Sequence, residues 1–151
     1  MRFVTEKEME RRHAALRAAM RQAGYQALLV VGNTEAGQRG YIRYAADWRL
    51  WGGVAYLILP LEGEPALVMG LGSQADYAKL VGRIPDTRPV LARLPEVVRA
   101  LQERGLARAA IGVPGLNRIM PYGDARDLMA ALPEARFADA TALMERVMVA
   151  L

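Results

Sequence analysis

The sequence predicts an α/β fold with a mixed sheet, and two observations support this prediction. Short apolar runs of strand length alternate along the chain with segments of helical periodicity. The runs Ala27–Val31 and Ala109–Val113 are apolar throughout, as strands covered on both faces are. The segment Val54–Met69 holds two apolar runs joined by the turn-forming stretch Pro60–Pro65. That arrangement is typical of an antiparallel hairpin, which would make the sheet mixed.

The first element is predicted to be an amphipathic helix over roughly residues 6–23. Thr5 and Glu8 have the spacing of a capping box: Thr5 accepts from a backbone N–H and Glu8 reaches back. Apolar residues follow at helical intervals, and Gly24 suits the left-handed position beyond a helix end.

In the remaining chain we expect a polar loop over Gly32–Gly40 and, after the hairpin, a short helix ending at Val81. Asp139 is predicted to cap the last helix. Between these two helices we expect three strands, at Pro89–Ala92, Ala109–Val113 and Ala135–Ala138. Two further helices are expected at Pro95–Arg104 and Pro121–Leu132.

Composition limits the classes of protein that this chain can represent. Its 151 residues, 53% hydrophobic and 24% charged, suit a single folded domain. The absence of cysteine excludes disulfides and thiolate chemistry. A net charge of +4, with arginines spread along the chain, predicts a solvated surface and no nucleic-acid partner. No apolar run approaches the ~20 residues of a membrane helix, and the charged start lacks a signal peptide, so we expect no membrane partner and a cytoplasmic location.

The residues that usually carry chemistry do not form a recognisable active site. His13, the only histidine, lies on the apolar stripe of the first helix, which indicates a hydrogen-bonded residue at the core edge rather than a metal ligand. Ser73, the only serine, is not in a nucleophile elbow and more plausibly caps a helix. The stretch Gly70–Ala75 matches a relaxed dinucleotide-binding pattern, but the strand before it closes a hairpin, so a plain turn is favoured over a nucleotide site. We therefore predict no catalytic, cofactor-binding or metal-binding residue in this chain.

The most unusual stretch is residues 41–51, here called the aromatic-arginine segment. It holds four of the ten aromatic residues, with Arg43, Asp47 and Arg49 between them. Two interpretations remain open: the aromatic residues cover one edge of the core, or the segment is a binding interface. On the second interpretation the candidate interface residues are Arg43, Tyr44, Trp48, Arg49 and Trp51.

Several motifs occur in an order that resembles one known family. They are Phe3, Glu8, Met9, Arg12, Leu16, Arg17 and Met20, followed by Gly24–Val30, Ile42–Tyr44 and Leu59–Pro65. Together they resemble the N-terminal domain of the creatinase/prolidase family, which includes Xaa-Pro dipeptidases and aminopeptidases. The resemblance covers essentially the whole chain. It implies a three-layer α/β/α domain with a ribonuclease H-like motif.

The resemblance also implies a function. In the family a separate catalytic domain holds a pair of divalent metals (Mn, Co or Zn), so this chain is expected to lack its own active site and to partner that domain and a second copy. The loop at Ala46–Gly52 would then reach the partner subunit's active site, with Arg49 on a substrate carboxylate and Trp48 and Trp51 shaping the space. Many peptidase members read N-x-x-Y-L-T-G where this chain has Gly40–Asp47, which leaves either a short peptide or another small amide as substrate. The alternative is a free-standing ligand-binding or interaction module on the same fold.

Overall fold

The computed structural model describes residues 4–50, 52–71, 78 and 82–150. Within these residues the chain forms one six-stranded mixed sheet and five helices. The strands are β1 (Ala27–Asn33), β2 (Val54–Pro60), β3 (Ala66–Gly70), β4 (Asp86–Val90), β5 (Ala110–Val113) and β6 (Arg136–Asp139). The helices are α1 (Glu6–Ala23), α2 (Gly40–Ala46), α3 (Arg93–Glu103), α4 (Tyr122–Ala131) and α5 (Thr141–Val149).

The strand order is β4-β3-β2-β1-β5-β6, so β1 lies inside the sheet between its antiparallel and parallel parts. On one side β1 pairs antiparallel with β2 over its whole length, from Ala27 opposite Pro60 to Asn33 opposite Val54. On the other side it pairs parallel with β5. All seven residues of β1 are buried, which explains why its sequence is apolar without alternation.

The helices form two groups that pack against this buried sheet. Helix α1 contacts α2 and α5, whereas α3 contacts α4, β2 and β3. Because the central strands are buried on both faces, the two groups cover opposite faces and produce the α/β layering that the sequence predicts.

The ends of α1 follow the predicted capping, with one difference. The Oγ1 atom of Thr5 accepts from the backbone N–H of Glu8 at 3.1 Å, and Gly24 ends the helix with φ of 82°. The carboxylate of Glu8 binds the guanidinium groups of Arg11 and Arg12, at 2.7 and 3.0 Å. These hydrogen bonds lower the pKa of Glu8 to about 2. The sequence pattern therefore predicted the helix start correctly, but the Glu8 carboxylate pairs with arginines further along the helix.

The hairpin is confirmed, and its turn places Gly63 at φ of 109°. Three other expectations about elements are wrong. The loop predicted over Gly32–Gly40 is shorter, because β1 continues to Asn33, and a helix that we did not predict begins at Gly40. Strand β4 begins at Asp86 and ends at Val90 instead of covering Pro89–Ala92. Asp139 belongs to β6, and the residue before α5 is Ala140, which has no side-chain cap.

Two of the sequence-based expectations fall outside the described residues. They are most of the predicted short helix ending at Val81 and the greater part of Gly70–Ala75, including Ser73.

Gly32 allows α2 to pack closely on β1. A Cβ atom added at Gly32 would lie 2.7 Å from Cγ2 of Ile42 and 3.0 Å from Cδ2 of Leu50. We expect Gly32→Ala to lower the free energy of unfolding by about 1–3 kcal/mol, because the added methyl group overpacks this contact. Urea unfolding followed by circular dichroism measures the change.

The matched control is Gly70→Ala, because a Cβ at Gly70 meets no atom within 4 Å. Its stability should stay within about 0.5 kcal/mol of the parent chain. Equal stability of the two variants would contradict the close packing of α2 on β1.

Candidate functional site

The aromatic-arginine segment folds as α2 followed by a turn that leads into β2. Among its described aromatic residues, Tyr41 and Trp48 belong to the core and are each 4% exposed. Arg43 and Arg49 are exposed, and Tyr44 is half-buried.

Helix α2 is attached to α5 through Tyr41. The hydroxyl of Tyr41 donates to Oε1 of Glu145 at 2.7 Å. Burial, together with this hydrogen bond to a carboxylate, raises the pKa of Tyr41 to about 12. The phenol is therefore neutral at physiological pH and acts as a hydrogen-bond donor.

The carboxyl end of α2 is attached to α1. Nε2 of His13 lies 2.7 Å from the carbonyl oxygen of Ala45, so this ring nitrogen carries the proton and donates it. Arg12 donates to the carbonyl oxygen of Tyr44 at 3.2 Å, and its guanidinium lies 4.6 Å above the centre of the Tyr44 ring. Two side chains of α1 thus donate to carbonyl groups in the last turn of α2. Such carbonyl groups have no N–H partner within their own helix. The interpretation of His13 as a hydrogen-bonded residue at the core edge agrees with this contact.

A buried ion pair fixes the turn after α2. Asp47 ends the helix in the left-handed region, with φ of 51°. Its Oδ2 atom lies 3.5 Å from Nε of Arg83 and accepts from the backbone N–H of Val4 at 3.4 Å. The side chains of Asp47 and Arg83 are only 2% and 11% exposed, and Arg83 also donates to the carbonyl oxygen of Val4. The pair and its hydrogen bonds to Val4 therefore join three parts of the chain that are distant in sequence.

The turn presents Arg49 at the surface between two buried neighbours. Trp48 is 4% exposed and Leu50 is 2% exposed, whereas Arg49 is exposed. Burial of both neighbours fixes the backbone from which the Arg49 side chain extends. Trp51 lies outside the described residues.

The role of the aromatic-arginine segment as a site stays a prediction, and the contacts that hold the segment were not predicted from the sequence. From the sequence we named Arg43, Tyr44, Trp48 and Arg49, which lie within one helix and its following turn. We did not identify Asp47 as the buried partner of Arg83, because the two residues are far apart in sequence. The only available signal was an acidic residue inside a segment rich in aromatic residues and arginine.

The described residues hold neither a candidate metal site nor a membrane-spanning helix. Residues 4–50, 52–71, 78 and 82–150 contain no group of three or more His, Asp or Glu side chains that could hold a metal ion. No helix in this part of the chain is long and apolar enough to cross a membrane.

The fold defines a class of α/β domain that is known from solved peptidase structures. The N-terminal domain of the cytoplasmic peptidase PepQ from Mycobacterium tuberculosis H37Rv superposes with a TM-score of 0.66 at 16% identity, over 91% of this chain and 98% of that chain. An Xaa-Pro aminopeptidase chain (aminopeptidase P) from Streptococcus thermophilus gives a TM-score of 0.70 at 20% identity, over 93% and 98% of the two chains. At these identities the likeness establishes the fold.

The family itself is established by sequence. The family model of the creatinase/prolidase N-terminal domain matches residues 12–147, and the chain belongs to this family. Dipeptidase PepE from Mycobacterium ulcerans is similar at 26% identity with a TM-score of 0.70. The match covers 97% of this chain but only 38% of the PepE chain. A comparison with curated proteins gives no match.

The buried pair of Asp47 and Arg83 should be important for stability. Asp47→Asn keeps a residue that tolerates the left-handed backbone but removes the negative charge beside a buried guanidinium. We expect the free energy of unfolding to fall by about 3 kcal/mol, because one partner of a buried pair is left uncompensated. Thermal and urea unfolding measure the loss.

Arg108→Gln is the control for this substitution. Arg108 pairs with Glu134 at 3.0 Å, but the two side chains are 80% and 62% exposed. Breaking such a pair changes stability by less than about 1 kcal/mol. Similar losses in the two variants would show that Asp47 does not hold the turn.

His13 should make stability depend on pH. Burial lowers the pKa of His13 below its ordinary value of 6.5, although the hydrogen bond to Ala45 partly opposes the shift. The unfolded chain then binds more protons than the folded chain near this pH, so stability should fall as the pH decreases through 6.5.

The test is to compare the parent chain with His13→Gln by urea unfolding between pH 5 and pH 8. Gln can still donate to the Ala45 carbonyl but does not titrate. Because the sequence contains one histidine, the variant should lose the slope near pH 6.5. An unchanged slope would mean that His13 titrates alike in both states.

Proposed function

We propose that this chain is the non-catalytic N-terminal domain of an Xaa-Pro peptidase-like or creatinase-like metallohydrolase. The observation that carries the proposal is the match of the creatinase/prolidase N-terminal domain to residues 12–147. The similar dipeptidase PepE supports it, because this chain corresponds to 38% of the PepE chain. The rest of such a protein would supply the catalytic domain. Because one solved relative is a cytoplasmic peptidase, the cytoplasm is the location we propose.

The divalent metal pair of this proposal (Mn, Co or Zn) belongs to the catalytic domain. The sequence has a single histidine, and its Nε2 atom is already hydrogen-bonded to the carbonyl oxygen of Ala45. The described residues include no set of side chains suited to a metal pair. We therefore assign binding of metal and cleavage of substrate to the partner domain, and positioning of substrate to this one.

Within this proposal the domain supports assembly of a homodimer and limits the substrate at the partner subunit's active site. Arg49 is the residue best suited to contact a substrate, since it is exposed on a turn whose neighbours Trp48 and Leu50 are buried. Its guanidinium would bind the carboxylate of a short peptide or a small amide that also bears a carboxylate. Trp48 would shape the space indirectly, by holding the turn from below. Arg43, Tyr44 and Trp51 remain candidates for the same interface.

The alternative of a free-standing ligand-binding module is tested by the same experiment. The 151-residue chain and the longer product of its gene would each receive Mn²⁺ or Co²⁺ and a panel of Xaa-Pro peptides and small amides. We expect hydrolysis only by the longer product, together with a dimer in light scattering. Hydrolysis by the 151-residue chain would refute the proposal, and a coding sequence that stops at Leu151 would favour the alternative.

The role of Arg49 gives a sharper prediction. In the longer product, Arg49→Ala should raise KM for a peptide with a free carboxylate about tenfold or more, because a charge-assisted hydrogen bond is lost. The corresponding peptide amide should be affected little, and Arg49→Lys should recover part of the affinity for the free acid.

Arg108→Ala is the control for a general loss of surface charge, since Arg108 is an exposed arginine. Its KM for both peptides should equal that of the parent. If Arg49→Ala changes the KM for the acid and the amide equally, Arg49 does not contact a carboxylate.

A further inference from the structure

A cleft of about 360 Å³ lies at the edge of the sheet where β3 and β4 end and β2 begins. We call it the Gly70 cleft. Its apolar walls are formed by Leu50, Val54, Met69, Leu71, Val90 and Leu91. Two of these side chains are exposed although they are large and apolar: Leu71 is 58% exposed and Leu91 is 91% exposed. Large apolar side chains exposed at the mouth of a cleft are typical of a site that a ligand covers.

The cleft exists because a strand position that would normally carry a side chain is a glycine. Gly70 pairs with Val90 on β4. On its other side β3 pairs antiparallel with β2, where Val68 lies opposite Tyr56. Two residues further along β3, Gly70 therefore lies opposite Val54. A Cβ added at Gly70 would meet no atom within 4 Å. The gap in this cross-strand row is therefore wide enough for an apolar group from outside the domain.

Arg93 forms the polar wall of the cleft, and the core fixes its orientation. The hydroxyl of Tyr56 donates to Oδ2 of Asp124 at 2.6 Å, and Tyr56 is fully buried. Burial, and then this contact with a carboxylate, raises the pKa of Tyr56, so the phenol remains a donor. Asp124 in turn accepts from Nε and Nη2 of Arg93 at 2.8 and 3.3 Å.

This chain of contacts leaves Arg93 able to bind an anion. A guanidinium has five N–H donors, two of which make the bonds to Asp124. The Arg93 side chain is 37% exposed at the wall of the cleft. A fixed guanidinium loses little freedom when it binds a carboxylate, which favours affinity.

The start of α3 adds positive potential at the same place. Arg93 is the first residue of this eleven-residue helix, and Ala92 before it provides no side-chain cap. The N-terminal end of a helix carries a partial positive charge. A carboxylate beside Arg93 would therefore meet the guanidinium N–H donors that Asp124 does not use, together with the positive end of a helix, while the charge of Asp124 offsets part of the attraction.

We propose that the Gly70 cleft binds the carboxyl-terminal residue of a peptide or protein chain. The apolar side chain of that residue occupies the cleft, and its carboxylate binds Arg93. The choice of a peptide over a free aliphatic acid follows from the rim, where Gly52 and Gly70 are exposed and have no side chain to keep a peptide away from their backbone. This proposal does not depend on the gating role of Arg49.

The test is a binding titration of the 151-residue chain by isothermal calorimetry and by nuclear magnetic resonance. The probes are a short peptide ending in leucine, the same peptide with a carboxyl-terminal amide, and octanoate. We expect the acid peptide to bind at least tenfold more tightly than its amide, and octanoate to bind more weakly than the acid peptide. Equal binding of the acid and the amide, or no binding of the acid peptide at millimolar concentration, would overturn the proposal. Tighter binding of octanoate would exclude the peptide as the ligand.

Two variants locate the site. Gly70→Val should fill part of the cleft and weaken the binding of the acid peptide at least tenfold; a Cβ at Gly70 meets no atom within 4 Å, and circular dichroism checks that the variant is folded. Arg93→Gln should remove the preference for acid over amide. Arg108→Gln is the matched control and should bind like the parent. Unchanged binding by a folded Gly70→Val chain would show that the peptide binds elsewhere and would overturn the proposal.

Discussion

The complete burial of β1 is the constraint on which the rest of the domain depends. This strand bonds to an antiparallel neighbour on one side and a parallel neighbour on the other, and none of its seven residues reaches the surface. Backbone groups buried to this extent must find partners on both edges, and the side chains must be covered on both faces. The hairpin, the crossover to β5 and the two groups of helices together satisfy these requirements. The hairpin supplies the antiparallel partner of β1 and the crossover supplies the parallel one, which makes the sheet mixed.

A second level of organisation is electrostatic and holds the surface turn that carries the candidate residues. Asp47 sits in a left-handed conformation and pairs with Arg83 away from solvent. A carboxylate and a guanidinium buried together compensate for part of each other's lost hydration, and both lose that compensation if either is removed. Arg49 follows two positions later at the surface. The position of the backbone at Arg49 therefore depends on the ion pair between Asp47 and Arg83, which lies away from the surface that would bind a ligand.

The two surfaces proposed here to bind ligands use arginine in different ways. Arg49 lies on a turn that is anchored by buried apolar neighbours, whereas Arg93 is held by a chain of hydrogen bonds from Asp124 and the buried Tyr56. For Arg93 the hydrogen bonds hold the side chain before any ligand arrives, which reduces the entropy lost on binding, whereas for Arg49 the buried neighbours hold the backbone. A surface arginine such as Arg108, which pairs only with another exposed side chain, lacks this restriction.

The sequence by itself determined the fold class, the hairpin, the span of α1 and the family. These features depend on local periodicity, capping residues and motif order, all of which are visible along the chain. The sequence also marks the aromatic-arginine segment as unusual. It does not predict helix α2 within that segment, because Gly40 and two tyrosines give a weak local helical signal. Only the tertiary structure decided that Trp48 is buried, that Asp47 pairs with Arg83, and that Gly70 opens a cleft beside Arg93. Each of these involves residues distant in sequence, and their contacts are fixed by how the sheet and helices pack rather than by the local preferences of the chain.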